Sequence, residues 1–224
     1  MRNINERYVT EAYDENGLLT QFDVDVPADF NFAYDVVDDI AEHDPDRTAM
    51  VWCNPEGEEH VFTFADMKHW SDKTANFFAE CGIGRGDFVM VILRRHYQFW
   101  FTMLALEKLG AVAVPATFML KEHDLIYRLN GADIKAVVCT SAGDIADVVD
   151  AVVAECPSVE SLILVNPAGA GLTPQNADGS WALPENEPAG PALSGPEGIC
   201  AAPAAREGWR DFNSEVRAAS ADFA

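Results

Sequence analysis

Four continuous apolar runs of strand length, each separated from the next by a helix-length pattern, constrain this chain more than any other feature. They are FVMVIL (88–93), AVAVP (111–115), IKAVVCT (134–140) and VESLILV (159–165). The intervening patterns predict a helix over about 95–109, a second in KEHDLIYRLNG ending at Gly131, and a third in GDIADVVDAVVAE. Strands alternating with helices of this length need right-handed crossovers, and therefore a mostly parallel sheet. Apolar runs without polar alternation are expected where both faces of the sheet are covered. The expected fold class is α/β, a mostly parallel sheet flanked by helices, within residues 31–165.

Flanking segments read differently. Residues 1–30 are polar and acidic and read as an arm or irregular lead-in. After Asn31, Phe32, Val36, Val37 and Ile40 recur at helical spacing, and Pro45 supplies the stop. TAMVWC and EEHVFTF, divided by the turn residues of NPEGEE, predict a β-hairpin. Thr63 is placed to cap a helix over 64–80, with Asp66 in the capping-box position. Residues 166–204 are dense in Pro, Gly and Ala and read as a linker; residues 205–224 recover a short helix at about 209–219.

Charge narrows the possible partners. Asp and Glu number 37 against 15 Lys and Arg, a formal net charge of −22. Nucleic-acid phosphates call for a basic face, and anionic lipid headgroups for a polybasic segment; this composition opposes both. No uninterrupted apolar run approaches the length needed to span a membrane. Cys53, Cys81, Cys139, Cys156 and Cys200 lie far apart, which fits neither a disulfide framework nor a zinc site, and most of them are expected to be small core residues in a reducing compartment. With a polar N-terminus lacking a signal-like apolar stretch, the expected address is cytoplasmic.

Residues that suggest chemistry are few. GIGRGD (82–87) precedes a strand, the wrong order for a dinucleotide loop, and reads as a tight turn. Arg94, Arg95 and His96 form the one local basic cluster, at the carboxyl end of strand 88–93, where doubly wound sheets bind ligands. Contact of Arg94 or Arg95 with an anion is one reading; solvated arginines balancing an acidic surface are the favoured one. His43, His60, His69 and His123 show no metal-type spacing, Asp38 and Asp39 are adjacent and face different sides of a helix, and Ser141 lacks a nucleophile-elbow context. Phe99, Trp100, Met103 and Leu104 are expected to form a core-facing helix surface.

Several blocks in order then carry a resemblance. FNFAYDVVDDIAEHDPDRTAMVW, EEHVFTFADMKHWSDKTANFFAECGIGRGDFVMVIL, RRHYQFWFTMLALEKLGAVAVPATFMLKEHDLIYRLNGADIKAVV and REGWRDFNSEVRAAS resemble successive blocks of the AMP-forming acyl-CoA synthetases, the medium-chain and related fatty-acid ligases in particular. The resemblance covers roughly residues 30–224. It implies an enzyme converting a carboxylate, ATP and CoA into acyl-CoA, AMP and pyrophosphate. It also implies that the Ser/Thr/Gly-rich ATP loop, the ribose-binding Asp, the hinge and the C-terminal Lys of that family lie beyond this sequence.

On that resemblance the chain is expected to be an N-terminal fragment, inactive alone, whose partner is the remaining C-terminal portion. No catalytic or metal-binding residue carries over to it. ATP, Mg²⁺ and CoA are cofactors of the longer enzyme, and none is expected in this chain. One loop carries over: Ala116, Thr117, Phe118 and Met119 align with a loop facing the CoA and acyl side in relatives. The stretch Thr140-Ser141-Ala142-Gly143 departs from acetate-type relatives, which place CoA-contacting arginines there, and so favours the medium-chain branch. The apolar face meant for the missing half is expected to self-associate. The alternative is a stand-alone, non-catalytic α/β binding or scaffolding module.

Overall fold

The computed structural model describes residues 7–53, 59–166 and 206–223. The expected strands and helices are present, with ends shifted by a few residues. A hairpin of β1 (Val9–Tyr13) and β2 (Leu19–Val24) comes first. A π-helical segment, Ala33–Asp38, runs into α1 (Asp39–His43). A second hairpin, β3 (Thr48–Cys53) and β4 (Glu59–Thr63), leads into α2 (Phe64–Glu80). Then follow β5 (Phe88–Ile92), α3 (Gln98–Leu109), β6 (Val112–Pro115), α4 (Glu122–Gly131), β7 (Ala136–Thr140), α5 (Ile145–Val152) and β8 (Ser161–Val165). After residue 205 come β9 (Arg210–Asp211) and α6 (Phe212–Ala218).

Five strands form one parallel sheet in the order β6-β5-β7-β8-β9. Alternation along each strand divides the core between two faces. Val89, Val91, Val138, Ile163 and Val165 pack with Phe77, Phe78, Phe101 and Phe212 from α2, α3 and α6. Met90, Ile92, Val137, Cys139 and Leu164 pack with Leu125 and Leu129 of α4 and Val149 of α5. Burial of each such side chain contributes about 1.5–3 kcal/mol, which is why the runs read as uniformly apolar. Pro115 is tolerated because β6 is an edge strand, where a missing N–H breaks no second ladder.

Local chemistry sets the helix ends. Thr63 caps α2: its side chain accepts from Asp66 N, and the Asp66 carboxylate accepts from Thr63 N at 2.9 Å. Gly110 closes α3 in the left-handed region, φ 68°, and Ala111 N donates back to Leu106 O at 2.9 Å. A Cβ at Gly110 would also meet Arg85 Cγ at 3.2 Å, a second reason for glycine there.

Three expectations need correction. The lead-in contains the regular hairpin β1–β2, although every residue of β2 is exposed, so no buried face imposed alternation on its sequence. The two-residue strand β9 escaped notice because it is too short to have a period. Trp100 is 52% exposed and does not face the core, while Phe99 and Met103 are half-buried and Leu104 is buried. The buried stripe of α3 instead runs through Gln98, Phe101, Thr102, Ala105 and Lys108. The NPEGEE turn between β3 and β4, the linker and Cys200 fall wholly or mostly outside the described residues.

Candidate functional site at the carboxyl ends of the strands

Chain order and spatial order together locate one crevice. From β5 the chain crosses to β6 on one side, and from β7 it crosses to β8 on the other. The topological switch point therefore lies between the carboxyl ends of β5 and β7, where open parallel sheets hold ligands.

Three loops meet there. Arg94, Arg95 and His96 leave β5; Ala116, Thr117, Phe118 and Met119 leave β6; Ser141, Ala142 and Gly143 leave β7. The Arg94 guanidinium lies 4.0 Å from the centroid of the Phe118 ring, joining the first two loops. His96 Nε2 and Thr140 Oγ1 are 2.7 Å apart and join the first loop to the end of β7. Thr140 Oγ1 also accepts from Ala142 N at 3.1 Å. Trp52 Nε1 donates to Arg95 O at 2.7 Å, so hairpin β3–β4 fixes the β5 loop from behind. At the end of β8, Asn166 O accepts from Gln98 Nε2 at 3.2 Å and from Asn213 Nδ2 at 3.4 Å.

Electrostatics divide the basic cluster. Arg94 and Arg95 are exposed cations, whereas His96 is buried. Burial, with the nearby Arg94 charge adding to it, lowers the His96 pKa to about 4, so the ring is neutral at pH 7. The sequence placed His96 in the cluster but could not show that it carries no charge. Ala116 is half-buried, while Thr117, Phe118 and Met119 are exposed.

A cavity of about 540 Å³ lies elsewhere, between the Ala33–His43 helical segment and α2, lined by Tyr34, Asp35, Asp38, Lys68 and Asp72 among others. Its charged groups already answer one another: Lys68 pairs with Asp72 at 2.6 Å and with Asp38 at 3.6 Å. The strand-end crevice is the better candidate, because there donors face outward and the topology predicts a site. Sequence reasoning gave no signal for the buried network joining Asp38, Asp72 and Lys108 behind that cavity.

Comparison with known proteins places this chain in a family. The model of the AMP-binding enzyme family matches residues 37–201, well over half of the chain. The rat mitochondrial acyl-coenzyme A synthetase ACSM5 is 37% identical over 147 residues, covering 63% of this chain and 25% of its own. Its mouse relative ACSM4, also mitochondrial, is 34% identical over 160 residues, covering 69% of this chain and 27% of its own. The chain thus spans about a quarter of the length of these curated relatives. Among solved structures, the anthranilate CoA ligase AuaEII in complex with anthranoyl-AMP superposes with a TM-score of 0.59 at 16% identity, over 88% of this chain and 30% of that one. An acyl-CoA synthetase of Brucella canis gives 0.60 at 18% identity, over 88% and 29%. These two likenesses concern the fold, which is the expected parallel sheet flanked by helices. The chain belongs to the AMP-binding enzyme family, and the relatives it matches there are acyl-coenzyme A synthetases.

Proposed function

We propose that this chain is the N-terminal α/β portion of an AMP-forming acyl-CoA synthetase, one acting on a medium-chain or related fatty acid. The longer enzyme joins the carboxylate to ATP as an acyl-adenylate, releases pyrophosphate, and passes the acyl group to CoA. The observation that supports this reading best is the family match over residues 37–201 in a chain spanning about a quarter of its acyl-coenzyme A synthetase relatives. In the same reading, residues 31–165 form one subdomain, 166–204 a linker, and 205–224 a lead towards the remaining C-terminal portion. Ala116, Thr117, Phe118 and Met119 present the CoA and acyl side.

ATP, Mg²⁺ and CoA are cofactors of the longer enzyme. Among the described residues, no group of three or more His, Cys, Asp or Glu side chains is arranged to hold a metal ion. The resemblance puts the ATP loop and the adenylation Lys in the remaining portion, so no step at the α-phosphate is assigned to these residues and the chain alone is proposed to be inactive. The test is pyrophosphate–ATP exchange with the pure 224-residue chain, Mg²⁺ and a series of carboxylic acids from acetate to decanoate. The expected rate equals that of a buffer blank. Exchange above the blank that depends on the acid would overturn the inactivity and move the adenylation chemistry into this chain.

Association of copies belongs to the same reading. Leu18, Leu19, Phe22 and Val24 on the first hairpin and Trp100 and Met119 near the crevice are exposed apolar side chains, the kind of surface a covering portion would bury. Sedimentation velocity is expected to show an average mass that rises with concentration; an unchanged monomer into the hundreds of micromolar would reject this. For the cellular address, no described helix is long and apolar enough to cross a membrane. A reducing, cytoplasmic address agrees with the four described cysteines being free, although the two mammalian relatives carry mitochondrial names.

A further inference from the structure

The hairpin β1–β2 differs from the rest of the molecule in both pairing and charge. Its strands pair only with each other, so among the described residues the outer edge of β2 presents unpaired backbone N–H and C=O groups. Its shape is fixed locally. At the tip Asp14 Oδ1 accepts from Asn16 N and Leu18 N, each at 2.9 Å, and Gly17 turns the chain at φ 78°. At the base the Tyr8 ring meets Phe30 edge to face at 5.1 Å, and Arg7 pairs with Asp39 at 3.4 Å. Register sets Val9 opposite Val24 and Glu11 opposite Phe22, so Val9, Phe22 and Val24 share one face. From Phe22 to Val26 the chain alternates apolar with acidic residues, although all five are exposed, Phe22 by 54% and Val24 by 60%. No burial among the described residues accounts for that alternation. Residues 8–30 carry the carboxylates of Glu11, Asp14, Glu15, Asp23, Asp25 and Asp29 and contain no Lys, Arg or His.

We propose that β2 is a docking edge for an extended protein segment in which basic residues alternate with apolar ones, added to the hairpin as a third strand. A two-stranded hairpin is marginal in water, and a third strand with a shared apolar face stabilises it. Backbone pairing along the free edge supplies affinity, and the period of two supplies specificity. Apolar side chains of the segment fall beside Phe22 and Val24 on one face, and its cations fall beside Asp23 and Asp25 on the other. Charge selects this occupant. A second copy would set the same carboxylates against each other, and like charges along an edge strand oppose its pairing with itself. Association of copies at high concentration is therefore left to apolar side chains outside 22–26. An anionic lipid surface is repelled in the same way. The inference stands on the hairpin alone and does not depend on the ligase reading.

The experiment uses the whole chain at pH 7 and physiological ionic strength, with backbone amides followed by NMR. The probe is a short synthetic peptide alternating Lys with Val; the controls carry Glu in place of Lys, or Ser in place of Val. The Lys/Val peptide is expected to give saturable shifts confined to residues 9–26, with a Kd of roughly 0.1–1 mM, and neither control to saturate. Joint replacement Phe22→Thr and Val24→Thr keeps strand-compatible residues at exposed positions and leaves every charge in place. It is expected to weaken binding roughly five-fold. Asp23→Asn with Asp25→Asn is expected to weaken it by a similar factor and to flatten its salt dependence. Shifts scattered over the acidic surface, an equal response to either control peptide, or an affinity untouched by the two Thr substitutions would each overturn the proposal. Hairpin shifts that change on dilution of the chain alone would assign the edge to a second copy and overturn it as well. None of these readouts involves ATP, CoA or turnover, so failure here and failure of the ligase reading are separately visible.

Discussion

Replacing Lys108 with Ala is expected to destabilise the fold by about 3–5 kcal/mol, the usual consequence of breaking a buried ion pair by removing one partner. The Lys108 side chain is completely buried on α3, and its Nζ lies 2.6 Å from Asp72 Oδ1 and 2.9 Å from an oxygen of Asp38. The ring of Tyr34 is 5.5 Å away. These contacts tie α3 to α2 and to the Ala33–Asp38 segment. Removing the ammonium leaves Asp38 and Asp72 sharing Lys68, 3.6 and 2.6 Å away, and takes away the buried charge that holds them to α3. Urea denaturation of the variant against wild type measures the loss, and equal midpoints would show that the carboxylates find other partners. Lys108→Met separates charge from packing, since it keeps most of the stem; it should be nearly as harmful if charge dominates. Asp38 supplies an internal check, because burial already raises its pKa despite the two lysines. A carboxyl whose folded pKa exceeds its unfolded one favours the folded state as pH falls. The defect of Lys108→Met should therefore shrink between pH 7 and pH 5.

The second large effect comes from two buried histidines. Burial lowers the pKa of His60 to about 4, and burial with the Arg94 charge lowers that of His96 to about 4, both from an ordinary value of 6.5. The unfolded chain therefore takes up protons first as the pH drops. The contribution of each histidine is fully present above pH 6.5, is lost progressively down to about pH 4, and is level below that. At 1.36 kcal/mol per pKa unit the loss is of the order of 3 kcal/mol for each. Asp38 and Glu107, both raised by burial, act in the opposite direction, so the histidine effect is read as a difference between variants. Folding free energy measured from pH 7.5 to 4 should fall less steeply for His96→Gln than for wild type. The midpoint of that difference should lie between 4 and 6.5. Parallel curves would mean that His96 takes up a proton as readily in the folded protein as in the unfolded one.

Particular residues show where sequence reading ends. The apolar runs of β5, β7 and β8 announced a sheet covered on both faces, because each strand must satisfy two cores at once and has room for almost no polar residue. Thr63 and Asp66 announced the start of α2, because a cap is satisfied within four residues of chain. The family resemblance was legible too, since it resides in ordered blocks of sequence and needs no knowledge of contacts.

What the sequence could not supply depends on partners far along the chain. His96 and Thr140 stand 44 positions apart, and only the placement of β5 beside β7 brings them to 2.7 Å, burying the histidine and removing its charge. Lys108 reads as an ordinary solvated lysine near a helix end until Asp38 and Asp72, 70 and 36 positions away, close around it. Trp100 belongs to an apolar stretch of α3 yet faces outward, because the helix is rotated so that Phe101, Ala105 and Lys108 meet α2 and the sheet. Periodicity and capping are short-range properties that the sequence alone determined. The protonation state of a buried ring, the pairing of a buried ammonium and the rotation of a helix about its axis were decided by tertiary structure, because each depends on which distant groups replace water.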